Sequence, residues 1–467
     1  MRSEDLLNEI AEFCRRTKLA ESTFGRRAVN DGKLVSRLRD GGRVTTETVE
    51  KVRRFIAQNA GRLSETNSVL YAPKSLPALP PAGPQPVRPL TGGDPLRNFR
   101  FYDNRQKYLL FVTTCGEKWT IANRVALELQ NIHPRPPAVR VFDAGMGDGT
   151  VLTRVMRAMH ARFPTLPFYI AGKEISLEDI RLTLEKMPDR FFEHPATVLV
   201  LTNLYYSEAP WLTTRSHQAA SSFVWHELAL TGNSAFDFEE QITGLQSMLA
   251  DVWKARVSAT SGNPVYERPV VLVIYREDHR FLLDPVIPKR GAADANFDLI
   301  IASQPYRARA PIEFKANKVI APLARALGPG GRLIAIHSHG NDPGLEIIQR
   351  IWPGDNPFTT DRHQMLKAVK AALGPAARNL NFNAYSDERS LFRYDMHTLP
   401  NEICDSIGTS TLFAAWNAAI YVAQVEDERL QAVVKSGDYL DATREVLMKH
   451  GGLWFYDESY VISRRRD

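Results

Sequence analysis

Two hydrophobic periods run along this chain and divide it. In residues 1–62 the apolar positions recur with helical spacing. Leu6, Leu7, Ile10, Phe13 and Cys14 share one face of a first helix, and a second helix is predicted over Glu21–Val29. A third follows Asp31, a suitable N-cap, and runs through Leu34, Val35 and Leu38 to the Gly41-Gly42 stop. A fourth spans Thr46–Gln58, with Val49, Val52, Phe55 and Ile56 as its stripe. From residue 97 onward the pattern changes. Short apolar runs at Val139–Asp143, Phe168–Ala171, Thr197–Thr202, Val270–Tyr275, Phe297–Ser303 and Arg332–His337 read as strands. Amphipathic stretches at Thr150–Arg162, Leu177–Met187, Glu239–Ala255 and Ile312–Leu327 read as helices. Ala414–Val425, a helix over Tyr439–His450 and a strand-like run Leu453–Ser463 close the chain. Strands alternating with helices of this length predict βαβ units and a mostly parallel sheet with helices on both faces.

Between the two patterns lies a break. Seven prolines fall in the 21 residues from Ser75 to Pro95. With few N–H donors and restricted φ, this stretch is expected to be an extended, semi-rigid spacer. The predicted organisation is a small all-α helix-turn-helix domain at 1–62, a linker at 63–96 and an α/β body at 97–467. The 95 residues or so between Asn203 and Phe297 exceed a simple βαβ unit. They predict an insertion around 204–296 that covers the site and helps select substrate, with FRFYDNRQKYLLFVTTCGEKW, ahead of Val139, as the opposite wall.

Composition adds limits. The chain has 467 residues, 44% apolar and 24% charged, as expected of an ordinary globular protein rather than a disordered or fibrous one. No apolar run approaches the ~20 residues that cross a bilayer, and MRSEDLLNEI has no apolar core of a secretory signal. Cys14, Cys115 and Cys404 lie far apart with no CxxC pair, which argues for a reducing compartment and against structural zinc. A cytoplasmic protein with no membrane partner is the expectation. The net charge of +6 is uneven: residues 1–62 carry 14 Lys/Arg against 9 Asp/Glu, leaving only +1 for the rest. A basic module on a neutral body points to a polyanion partner, DNA first, with docking on an acidic protein surface as the alternative. The stretch STFGRRAVNDGKLVSRLRDG resembles small helix-turn-helix modules of bacterial regulators.

The chemistry centres on VRVFDAGMGDGTVLTRVM, residues 139–156. A strand ends at Asp143, Gly145, Gly147 and Gly149 follow at alternate positions, and a helix begins near Thr150. Glycines there permit a tight turn and let a ligand approach backbone. Asp143 and Asp148 are poor neighbours for a pyrophosphate but suit a cationic ligand. This DxGxGxG turn resembles motif I of class I S-adenosylmethionine-dependent methyltransferases. The resemblance extends in order through FYIAGKEIS, VLVLTN, FDLIIASQPY and LGPGGRLIAIHSHG, and less specifically through the closing GGLWFYDESYVISRR.

That resemblance implies a Rossmann-like sheet and S-adenosylmethionine as cofactor. It implies cofactor contacts from Asp143, Gly145, Gly147, Gly149, Glu174 (ribose hydroxyls) and Asn203 (adenine edge). Ser303-Gln304-Pro305-Tyr306 is similar to the [D/N/S]PP[Y/F] element of amine methyltransferases, with Gln304 replacing the first Pro. There a polar residue receives amine hydrogens and the aromatic stacks on a planar acceptor. Ser303, Tyr306 and His337 are therefore the candidate catalytic residues. His337-Ser338-His339 with Asp342 also has the elements of a metal site, though no metal is expected. Trp225-His226-Glu227 is read as an acceptor-site pair or as a helix-packing Trp with surface neighbours. Methyl transfer from a sulfonium mainly requires orientation, so no catalytic triad is expected. Three readings stand: methylation of a small molecule or protein with the basic module positional or regulatory, methylation of a DNA base, and a non-catalytic S-adenosylmethionine sensor that regulates transcription.

Overall fold

The computed structural model describes residues 3–17, 21–29, 31–39, 44–59, 105–258, 263–291, 293–397 and 407–466. The Pro-rich stretch, the Gly41-Gly42 stop and Cys404 lie outside the described residues. The chain divides into two units, Met1–Gly92 and Gly93–Asp467.

In the first unit the helical stripes become helices at Ser3–Thr17, Glu21–Val29, Leu34–Arg39 and Thr46–Asn59. Leu6, Ile10, Phe13, Phe24, Leu34, Val35, Leu38 and Val52 form its core. The rings of Phe13, Phe24 and Phe55 meet edge to face at 5.5–6.1 Å. Asp31 accepts the Lys33 N–H at 2.9 Å, which opens the third helix as its position suggests. Three of the basic side chains are paired inside the module: Arg37 with Asp31, Arg39 with Glu21 and Arg53 with Glu9. Arg26, Arg27 and Lys33 are exposed.

The second unit is built on a ten-stranded sheet. Its strands are β1 Val139–Asp143, β2 Phe168–Lys173, β3 Thr197–Thr202, β4 Val224–Leu230, β7 Val270–Arg276, β8 Phe297–Ser303, β9 Leu327–Ser338, β10 Leu380–Asn383, β11 Leu391–Asp395 and β12 Trp454–Arg464. A separate two-stranded ribbon pairs β5 Ala255–Val257 with β6 Pro264–Tyr266. The sheet order is β10-β12-β9-β8-β1-β2-β3-β7-β4. β3, β2, β1, β8 and β9 run parallel. β12 runs antiparallel to β9, and its other edge takes β10 and β11 along successive halves. The parallel strands are apolar on both faces, as sheets covered by helices on both sides require. Phe142, Tyr169, Val198 and Val200 point into one core, and Val141, Ile170, Leu199 and Leu201 into the other. Strand order reverses at β1, with β2 on one side and β8 on the other. The carboxyl ends of these strands are where open α/β sheets bind ligands.

The insertion differs from the expected cover. Two of its strands lengthen the sheet: β7 pairs antiparallel with β3, and β4 lies parallel to β7 at the edge. Trp225 is thus on an edge strand, not a helix, and its indole N–H donates to Glu227 at 2.8 Å. The single helix expected at Glu239–Ala255 is two, Ala235–Thr243 and Gln246–Val252, separated at Gly244-Leu245.

Candidate functional site

The strand-to-helix turn after β1 gives each glycine a separate task. Gly147 and Gly149 hold φ of +53° and +75°, where a side chain would cost about 1–2 kcal/mol. A Cβ on Gly149 would also meet Thr183 Oγ1 at 2.7 Å, so this glycine permits the close approach of the Leu177–Glu185 helix. Gly145 has neither constraint: its φ is not positive, and a Cβ there would meet nothing within 4 Å. Gly145 therefore borders open space beside the end of β1.

Asp143 faces that turn. It is 1% exposed; its Oδ1 accepts the Gly145 N–H at 3.4 Å, and its Oδ2 has no hydrogen-bond partner. A buried carboxylate oxygen left unpaired costs about 1–3 kcal/mol or more unless a ligand pairs it. Burial pushes the Asp143 carboxyl up to about 7, and Glu174 adds to this while the Gly145 N–H and Lys118 oppose it.

Glu174, just past β2, ties the neighbouring strand end to the same turn. Its Oε2 accepts the Gly147 N–H at 3.0 Å, and its Oε1 accepts those of Ile175 and Ser176 at 2.7 and 2.9 Å. An ionised carboxylate accepts about four hydrogen bonds, so one further donor can be received. Trp253, from the insertion, donates to the Glu174 carbonyl at 3.2 Å. Asn203 stands at the end of β3 with both polar ends occupied: its Nδ2 donates to Arg268 O at 2.9 Å and its Oδ1 accepts Val270 N–H at 2.8 Å. As placed, its amide clips the insertion to the sheet.

The helix Glu117–Ala126, which precedes β1, brings charge that the sequence reading passed over. Lys118 is held up to about 12: burial pulls it down, but Glu117, Tyr421, Asp148 and Asp179 outweigh that. Asp148 is held low: burial alone would raise it, but Lys118, Thr150 and Lys186 win. Tyr108 packs over the turn, and a Cβ on Gly147 would lie 3.3 Å from its hydroxyl. Arg105 pairs with the buried Asp179 at 2.7 Å.

The second half of the site follows β8 and β9. Ser303 ends β8, half-buried. Gln304 has φ of +46°, a strained value for a side-chain-bearing residue. Its Nε2 donates to Ser338 Oγ and to Asp457 at 3.1 Å each and to Glu117 at 3.4 Å, while its Oε1 accepts the Ser338 N–H at 3.3 Å. Tyr306 and His337 are brought together, Tyr306 Oη lying 2.7 Å from His337 Nδ1 and 3.2 Å from Tyr460 Oη. His337 Nε2 meets Glu458 at 3.0 Å, and Glu458 is also paired with Arg362 at 2.6 Å. Burial would raise the Glu458 carboxyl, but His337 and Arg362 hold it down at about 2. The Tyr306 ring is only 8% exposed and belongs to the core. It presents little face for stacking an acceptor, and both His337 nitrogens are engaged.

His339 lies 4.0 Å from Glu458, whereas Asp342 caps the Pro343–Ile351 helix by accepting the Leu345 N–H at 2.8 Å. Among the described residues, no group of three or more His, Cys, Asp or Glu side chains is arranged to hold a metal ion. The sequence signal for Asp457 and Glu458 was present: two adjacent carboxylates inside the apolar run LWFYDESYVIS. For Lys118 the signal was only that the segment ending in GEKW was expected as the opposite wall, with no role for its charge.

No family model matches the chain. No curated protein matches it either. Solved structures overlap it loosely. A geranyl diphosphate methyltransferase in complex with GPP and sinefungin is 12% identical, with 74% of this chain and 78% of that chain covered and a TM-score of 0.28. A loganic acid methyltransferase with SAH is 10% identical over 81% and 99%, with a TM-score of 0.28. PKMT2 from Rickettsia typhi in complex with AdoHcy is 12% identical over 74% and 52%, with a TM-score of 0.26. The first two are methyltransferases by name, but overlaps this loose carry no functional argument, which rests on the chain's own residues.

Proposed function

We propose that the Gly93–Asp467 unit is an S-adenosylmethionine-dependent methyltransferase acting on a small-molecule or protein acceptor, with the basic N-terminal module serving DNA targeting or regulation. One observation carries the reading. At the point where strand order reverses, Asp143 keeps a buried carboxylate oxygen without a partner beside the open space at Gly145. A cation fits there and a pyrophosphate does not. Gly145, Gly147 and Gly149 would admit the cofactor to the backbone, and Glu174 would receive one ribose hydroxyl with its remaining acceptor site. Asn203, with its amide committed, would shape the adenine end through the β3–β7 clip rather than by direct contact. The cofactor supplies an activated methyl on a sulfonium. Ser303 and Gln304 would face the acceptor, and Tyr306 and His337 would position that loop through their hydrogen bond. The buried Tyr306 ring favours a small or flexible acceptor over a stacked DNA base.

Calorimetric titration of the full chain with S-adenosylmethionine tests the reading, followed by tritiated-methyl transfer into cell extract sorted into nucleic acid, protein and small molecules. Absence of cofactor binding by the folded protein would overturn it. Label confined to nucleic acid would replace the acceptor assignment with the DNA one. Binding without label in any pool would leave the sensor reading.

A further inference from the structure

On the acceptor side of the site, Gln304 does more than replace a proline. Its side-chain amide is fixed with the carbonyl on Ser338 N–H, so its NH2 is turned toward two carboxylates, Glu117 and Asp457. Asp457 has no exposed surface, and only its Oδ1 is used; Oδ2 has no partner. The hydroxyl of Tyr394, itself 1% exposed and close enough to Asp457 and Glu117 to feel both charges, is also without a partner. The nearest cation is Lys118, 3.9 Å from Glu117. With both carboxyls ionised, two negative charges would face one ammonium, so the cluster has to hold either a proton or a second cation. Half-buried Gln304 and Ser338, at the carboxyl ends of β8 and β9, border the cluster.

We infer that this cluster is the acceptor subsite and that its ligand is an aliphatic amine, bound as the ammonium ion between Asp457 and Glu117. The inference rests on the methyltransferase reading above and names its substrate class. A protonated amine supplies that second cation and donates to the unpaired Asp457 Oδ2. Burial raises both carboxyls, Asp148 adds to this at Glu117 and Glu117 adds to it at Asp457, while Gln304 and Lys118 pull down. Such a pair holds a proton readily, which is what the reaction needs. The ammonium passes one proton to a carboxylate and becomes a neutral amine. Its lone pair then forms the N–CH3 bond as the S–CH3 bond of the sulfonium breaks, with the bonding pair left on sulfur. The products are a methylated ammonium and the neutral thioether, and the carboxyl returns its proton to solvent. An alcohol or carboxylate brings no cation, so the pair would have to keep its own proton and could not receive one from the acceptor.

The test uses the full chain and first confirms S-adenosylmethionine binding by calorimetry; failure there sinks the methyltransferase reading and this inference with it, whereas binding followed by failure of the arms below sinks this inference alone. Tritiated methyl is then offered to benzylamine, n-butylamine, putrescine and an acetylated lysine-containing peptide, alongside benzyl alcohol, n-butanol and benzoate. Label should enter amines at least tenfold faster than the matched alcohols, and free amine against peptide distinguishes a metabolite from a protein acceptor. Asp457→Asn, nearly isosteric, should lower transfer at least tenfold with cofactor affinity within twofold; Glu117→Gln is the second variant should the first not fold. A readout independent of turnover accompanies these. The best amine of the panel should raise the melting temperature of the protein saturated with S-adenosylhomocysteine, its alcohol should not, and Asp457→Asn should abolish the shift. Label in alcohols or benzoate, no label in any amine, or wild-type transfer by both variants overturns the inference.

Discussion

Gly145, Gly147 and Gly149 are spaced alike in sequence yet fail differently when replaced. Gly147→Val would strain a residue at positive φ and press on Tyr108, so lost binding would be confounded with lost structure. Gly145→Leu meets no protein atom within 4 Å of its Cβ and starts a side chain into the space assigned to the ligand. We expect it to melt like the wild type and to lose S-adenosylmethionine affinity at least tenfold, ~1.4 kcal/mol; undiminished affinity in calorimetry would remove the cofactor from this turn. Asp143 offers a second test at the same scale. Its folded pKa, pushed up to about 7, exceeds its unfolded value, so between about pH 4 and 7 the folded state holds more protons and this group's contribution to stability falls as pH rises. A cationic ligand favours the ionised form. Binding at pH 6 should therefore release protons, seen as a binding enthalpy that varies with the ionisation heat of the buffer, and affinity should rise toward pH 8. No buffer dependence at pH 6 would show that Asp143 does not receive the cation.

At the scale of elements, the sequence pattern located the parallel strands closely because both faces are buried and the apolar runs are unbroken. β1, β3 and β8 occupy the predicted bounds. The insertion was less legible. β4 alternates Trp225, His226 and Glu227 at a half-exposed sheet edge, which gives neither a clean strand nor a clean helix period. The Glu239–Ala255 stripe held helical periodicity across Gly244, where the chain nonetheless starts a new helix. Asn203 is the element-level surprise: residue type and position suggested ligand contact, but β7, which occupies its amide, is 67 residues away in sequence. Asn203→Ala leaves the buried Val270 N–H unpaired and removes a part-buried bond to the Arg268 carbonyl, for about 1–3 kcal/mol. Urea unfolding should report that loss. A stability unchanged within 0.5 kcal/mol, on the order of a neutral surface change, would mean the clip is not what holds β7 to β3.

At the scale of the whole molecule, local motifs and long-range partners were unequally visible. The glycine turn lies within seven residues, so sequence alone could expose it. The acceptor cluster joins Glu117, Gln304 and Asp457 across three distant segments, and only folding shows that they meet. The charge division, by contrast, is a property of the chain as written: five of six net positive charges lie in residues 1–62. Folding alters its meaning, because Arg37, Arg39 and Arg53 are paired within the module and Arg26, Arg27 and Lys33 are left exposed to meet phosphate. In the full chain, log affinity for duplex DNA should fall with log salt by ~0.9 per neutralised phosphate. Replacing Arg26 and Arg27 by Ala should weaken binding and reduce that slope by up to about two units. Arg39→Ala should act less, since it removes a paired charge worth about 0–1 kcal/mol to the module. Methyl transfer to the acceptor should persist in the Arg26/Arg27 variant if the module only places the enzyme. Loss of transfer in step with DNA affinity would instead make DNA the substrate, and full-length protein whose DNA affinity ignores both salt and these arginines would assign the module to a protein surface.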